Sequence, residues 1–170
     1  MPRMDSVLHP LRIIQHYHSM PIPARKLQRL VPTLYKREHI SLSRNISVVF
    51  CSDYTIRKLN ARYRHIDRPT DVLSFSMGDE DLLGEIYISL QRVAIQARRY
   101  RVPYQEEVIR LFIHGFYHLL GYDHKMNFDR LKMERKEKNV FDRYLSRTRR
   151  GRKRLEPLLT RQRVFNTSPP

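Results

Sequence analysis

HGFYHLLGYDH, residues 114–124, sets three histidines within eleven residues. Whether they bind a metal or merely fill a core decides how the chain folds and what it does. The stretch from Gln105 to Leu120 carries Val108, Ile109, Leu111, Phe112, Ile113, Phe116, Leu119 and Leu120, with almost no polar face. That pattern predicts a helix lying inside the fold. On such a helix His114 and His118 project from one face, a turn apart. Gly121 can end the helix, and the chain can then turn back to bring His124 to the same point. The spacing HxxxHxxGxxH is that of a three-histidine zinc site. Three protein ligands leave one tetrahedral position open for water, the arrangement of catalytic zinc. The competing reading is a pair of hydrogen-bonded core histidines. Each buried imidazole left unpaired costs about 1–3 kcal/mol, and one metal would satisfy both. The expectation is therefore one Zn²⁺ per chain on His114, His118 and His124. In zinc peptidases with this spacing, a glutamate after the first histidine is the general base. Here that residue is Gly115, so peptide hydrolysis loses its main proton acceptor.

Working outward from this helix, a strand is expected near Leu11–His16, then a helix from about Pro23 to Tyr35 on the recurrence of Leu27, Leu30, Val31 and Leu34. NISVVFCS (45–52) is a β-branched run suited to a buried strand. Ser52 and Asp53 supply an N-cap for a helix through Tyr63. DVLSFS (71–76) and LLGEIYIS (82–89) read as hairpin partners, with MGDED between them as the turn. Helices follow over Leu90–Tyr100 and Asn127–Leu145, the second packing through Leu131, Val140, Phe141 and Tyr144. Strands mixed with helices, two of them adjacent in sequence, point to an α+β domain over residues 1–146 with a small mixed sheet.

Lysine and arginine total 33 against 17 acids, a net charge of +16. Of this, +7 falls in RTRRGRKRLEPLLTRQRVFNTSPP (147–170), read as a basic, disordered arm. The remainder is basic in its own right, and a nucleic acid is the natural partner. Arg149, Arg150, Arg152, Lys153 and Arg154 are the arm's candidate RNA contacts. The lone Cys51 precludes an internal disulfide framework and fits a reducing compartment. No stretch reaches the about 18 consecutive apolar residues of a membrane span, and the first residues carry no apolar secretory segment. The basic start of the chain is compatible with a mitochondrial address, although VLHPLRIIQ (7–15) reads equally as a first strand. A cytoplasmic location is the expectation.

HGFYHLLGYDH resembles the HGxLHLxGYDH signature of the YbeY family of metal-dependent endoribonucleases. LNARYRHIDRPTDVLSF (59–75) is similar to that family's LNxxYRxxDxPTDVLSF, and LLGEIYIS to its LGDIxIS. The three blocks keep family order. Glu85 stands for the usual Asp, Ser76 for a Pro and Tyr117 for a Leu, and MGDED is a short loop. The resemblance implies an α+β domain, zinc on the three histidines, and cleavage of single-stranded RNA in maturation of the small-subunit ribosomal RNA 3′ end and in ribosome quality control. It implies that Arg64 is an active-cleft arginine, binding phosphate and stabilising transition-state charge beside His114. The small ribosomal subunit and its RNA would then be the partners, with no membrane involved. Asp71, Ser74 and Asp123 are candidates for supporting hydrogen bonds. A ribosome-associated RNA-binding factor that does not cleave, and a metalloprotease, are the rival readings.

Overall fold

NISVVFC forms the most buried strand of the sheet, every residue but Asn45 being buried. A strand covered on both faces needs such a continuous apolar run. In a computed structural model, which describes residues 9–122 and 127–148, this strand is β2 (Asn45–Cys51). It pairs in parallel with β1 (Leu11–Gln15) and β4 (Leu82–Ser89), and β3 (Val72–Ser76) runs antiparallel to β4. The sheet order is β1-β2-β4-β3. The helices are α1 (Ala24–Arg37), α2 (Asp53–Arg64), α3 (Leu90–Tyr100), α4 (Tyr104–Leu119) and α5 (Asn127–Thr148). This is the expected α+β domain with a mixed sheet, and Leu11–Gln15 lies in it as a strand. Residues 149–170, including Arg149, Arg150, Arg152, Lys153 and Arg154, lie outside the described residues.

Side chains alternate across a sheet. Val72, Ile86 and Ile88 join the main core with α1, α3, α4 and α5, whereas Leu73, Phe75 and Tyr87 meet Ile56 and Leu59 of α2 on the opposite face. The register pairs Ser74 with Ile86 and Leu73 with Tyr87. Helix α4 sits directly on the hairpin at Gly115. A Cβ there would lie 2.7 Å from Ile86 Cγ2 and 2.9 Å from Ser74 Oγ, so the helix approaches this closely only because the residue has no side chain.

Helix α2 begins as expected, with Thr55 N–H donating to Ser52 Oγ at 3.3 Å. Asp53 works differently. Its carboxylate accepts from Ser89 Oγ at 2.6 Å and pairs with Arg92 at 3.1 Å, tying α2 to the start of α3.

Two expectations need correction. Leu131 does not pack inward but is 57% exposed. The buried stripe of α5 is Met133, Glu137, Val140 and Phe141, and a residue two positions from Met133 is turned about 200° away from it. Helix α4 lies inside the fold as expected, but where almost no polar face was expected it carries a buried polar stripe. Glu107, Arg110 and His114 are each under 5% exposed, and with His118 they fall on one helical stripe.

Candidate metal centre

The i, i+4 relation on α4 brings the two histidine rings to a centroid separation of 4.6 Å, nearly perpendicular at 83°. Their Nε2 atoms lie 3.1 Å apart. His114 is buried and His118 partly so. Behind His114, Glu137 of α5 places Oε1 2.7 Å from Nδ1. The Glu137 side chain is only 10% exposed, held there because Met133, Val140 and Phe141 seat α5 in the main core. A carboxylate can only accept a hydrogen bond, so it fixes the proton of the neutral imidazole on Nδ1 and leaves the Nε2 lone pair facing His118. This is how metal-binding histidines are oriented in proteins generally.

The pair fits a zinc ion. Two nitrogens at ordinary Zn–N distance in a tetrahedral shell stand about 3.3 Å apart, close to the 3.1 Å seen here. His124 and Asp123 lie outside the described residues. Among those described, no three His, Cys, Asp or Glu side chains gather at a metal-binding distance.

Below the histidines, the same stripe of α4 continues into a polar chain. Arg110 donates to both oxygens of Glu107, at 2.9 and 3.1 Å, and reaches Gln96 Oε1 of α3 at 3.5 Å. Gln96 Nε2 donates to Asp71 Oδ2 at 2.8 Å, and Asp71 Oδ1 accepts from Val72 N–H at 3.0 Å at the head of β3. Burial pushes the Glu107 carboxyl above the usual glutamate range, against the pull of Arg110. Asp71 thus has a supporting role, in this chain of bonds. Ser74 Oγ is buried without a hydrogen-bond partner among the described residues, beneath Gly115.

Tyr117, between the histidines, is fully buried and its hydroxyl donates to Glu38 at 3.0 Å. Glu38 also binds Lys136 of α5, so the Tyr117 position clamps α4 to the end of α1 and to α5.

Arg64 sits exposed in the last turn of α2. That helix covers the sheet face opposite the one under α4. The structure therefore gathers His114, His118 and Glu137 on one side and leaves Arg64 on an element of the other side. Sequence reasoning missed Glu137, Glu107 and Arg110. The signal was present: in MERKEKNVF (133–141), Glu137 falls between Met133 and Val140–Phe141 on the apolar stripe, where a carboxylate needs a buried partner.

Fold and site together define an α+β domain whose buried central helix presents a histidine pair oriented by a carboxylate. A family model described as Endoribonuclease YbeY matches residues 13–145. The chain is 42% identical over 126 residues to the Endoribonuclease YbeY of Pelotomaculum thermopropionicum, spanning 69% of this chain and 83% of that relative. It is 37% identical over 123 residues to the protein of the same name from Neorickettsia sennetsu, spanning 68% and 86%. The solution structure of TM1509 from Thermotoga maritima superposes with a TM-score of 0.59 at 30% identity, covering 82% of this chain and 91% of that one. The chain belongs to the endoribonuclease YbeY family.

Proposed function

We propose that this protein is a zinc-dependent endoribonuclease that cuts single-stranded ribosomal RNA, acting in the cytoplasm on the small ribosomal subunit in 3′-end maturation and ribosome quality control. The observation that carries the reading is the His114–His118 pair with its Nε2 atoms 3.1 Å apart and Glu137 behind it, in a chain of this family. His114 and His118 would hold the ion, with His124 as third ligand. When bound, zinc lowers the pKa of a coordinated water to about 7 and polarises a phosphoryl oxygen. The protein's own part would be to orient His114 through Glu137, with Nε2 toward His118, and to meet the charge of the scissile phosphate with Arg64, at the exposed end of α2 beside the edge strand β3. The basic surface and the arm at 147–170 supply affinity for the RNA backbone. Gly115 argues against a peptidase on steric as well as chemical grounds, because any side chain there collides with Ile86 and Ser74. Among the described residues no helix is long and apolar enough to cross a membrane.

The test is cleavage of a small-subunit rRNA 3′ fragment by nuclease-free protein loaded with zinc. Wild type should cut, and His114→Ala should not. Arg64→Ala should keep its metal but lose most cleavage, and Arg64→Lys should recover only part, since a point charge lacks the planar fork. Wild type that binds the fragment without cutting it, with or without zinc, would make the protein an RNA-binding factor instead.

A further inference from the structure

The outward side of α2 has no part in the centre described above, yet its chemistry is specific. Tyr54, Lys58 and Arg62 follow one another at i, i+4, i+8, a ridge about 12 Å long. Tyr54 is 65% exposed, so its ring is open to solvent beside the two cations. Lys58 Nζ lies 4.4 Å from the centre of that ring, and the Arg62 guanidinium 5.4 Å from that of Tyr63. Neither cation pairs with a carboxylate among the described residues. The acid nearby, Asp67, is engaged by Arg57 through two bonds of 2.7 Å. Tyr54, Arg57, Lys58, Ala61, Arg62 and Asp67 line a shallow depression of about 590 Å³. An exposed aromatic ring with cations that no carboxylate neutralises, beside a shallow depression, offers what sequence-tolerant binding of single-stranded nucleic acid uses: a stacking surface for a base, and charges for the phosphates beside it.

We propose that this face of α2 is a second RNA-binding site. It holds single-stranded RNA outside the cleavage centre, with a base on Tyr54 and phosphates on Lys58 and Arg62. The inference rests on the RNA reading of the preceding section. The sheet separates this ridge from His114 and His118, so occupying it leaves the metal centre open. The site contributes affinity and not turnover.

The test uses the full-length chain and an unstructured, fluorescently labelled oligoribonucleotide, read by anisotropy across a salt series. Tyr54→Ala should weaken binding about tenfold, within the range for loss of one stacked base, while Tyr54→Phe binds like wild type. Lys58→Ala with Arg62→Ala should flatten the slope of log K against log salt by about 1.4, at about 0.7 per lost single-strand contact. Cleavage at saturating RNA should be unchanged in all of them. All three positions are exposed, and circular dichroism checks that the fold is kept. If wild type binds the oligonucleotide and these variants bind it equally well, the ridge is not an RNA site and the functional reading stands. Equal losses in Tyr54→Phe and Tyr54→Ala would overturn stacking. If wild type binds no RNA at all, the functional reading itself fails.

Discussion

Glu137 is 23 positions from His114 in sequence and 2.7 Å from it in space. The bond decides which ring nitrogen of His114 carries the proton. Glu137→Gln keeps the shape and a neutral acceptor but removes the charge that makes Nε2 a better donor to a metal. The variant should fold normally and bind zinc about 10–100-fold more weakly, as measured by competition with a chromophoric chelator. Unchanged affinity would make Glu137 a packing residue. Gly115 poses a different constraint. Gly115→Ala should destabilise the protein by about 1–3 kcal/mol in urea unfolding, despite alanine's better helix propensity, because its methyl group meets Ile86 and Ser74 below 3 Å. A neutral or stabilising result would mean that α4 can lift from the hairpin without cost.

At the scale of elements, α4 is held by charge as well as by apolar packing. The chain Glu107–Arg110–Gln96–Asp71 links it to α3 and to the head of β3. Arg110→Met takes the guanidinium from a buried carboxylate and should cost about 3–5 kcal/mol at neutral pH. Burial raises the Glu107 pKa in the folded state, so the folded protein is favoured with that group protonated. The stability of the Arg110→Met variant should therefore recover as pH falls toward the ordinary glutamate range near about 4.3, and drop as pH rises through the folded-state value. Adding Glu107→Gln should abolish this pH dependence; a loss that ignores pH would show that Glu107 is not its source.

These elements also mark what was legible in the sequence. Strand β2, the β3–β4 hairpin, the Ser52 cap and the histidine-bearing helix announce themselves through local patterns: β-branched runs, alternation, a capping serine, an i, i+4 pair. The partners of buried charges do not. Periodicity counts apolar residues, so it placed α4 inside the fold without its Glu107–Arg110 pair and assigned Leu131 to the inner face of α5, while Met133 and Glu137 hold the inward positions. Glu137 meets His114, and Arg110 meets Gln96, only through tertiary packing. That α2 covers the sheet face opposite α4 likewise follows from tertiary packing, which no local pattern fixes.

Over the whole molecule the dominant quantity is a net charge of +16, with +7 in residues 147–170. Deleting that segment should weaken RNA binding most at low salt. If three single-strand phosphate contacts are lost, the slope of log K against log salt should flatten by about 2. Turnover at saturating RNA should hold, since His114, His118 and Glu137 lie on α4 and α5. An unchanged slope would make the segment a bystander, and a collapse of turnover with metal retained would put it inside the active complex. The proposed activity depends, however, on the histidine pair being a metal site. Elemental analysis of purified wild type and His118→Ala, side by side, tests this most directly. One zinc per chain is expected in the wild type and none in the variant; stoichiometric metal retained by His118→Ala would mean that the histidine pair is not the ligand set.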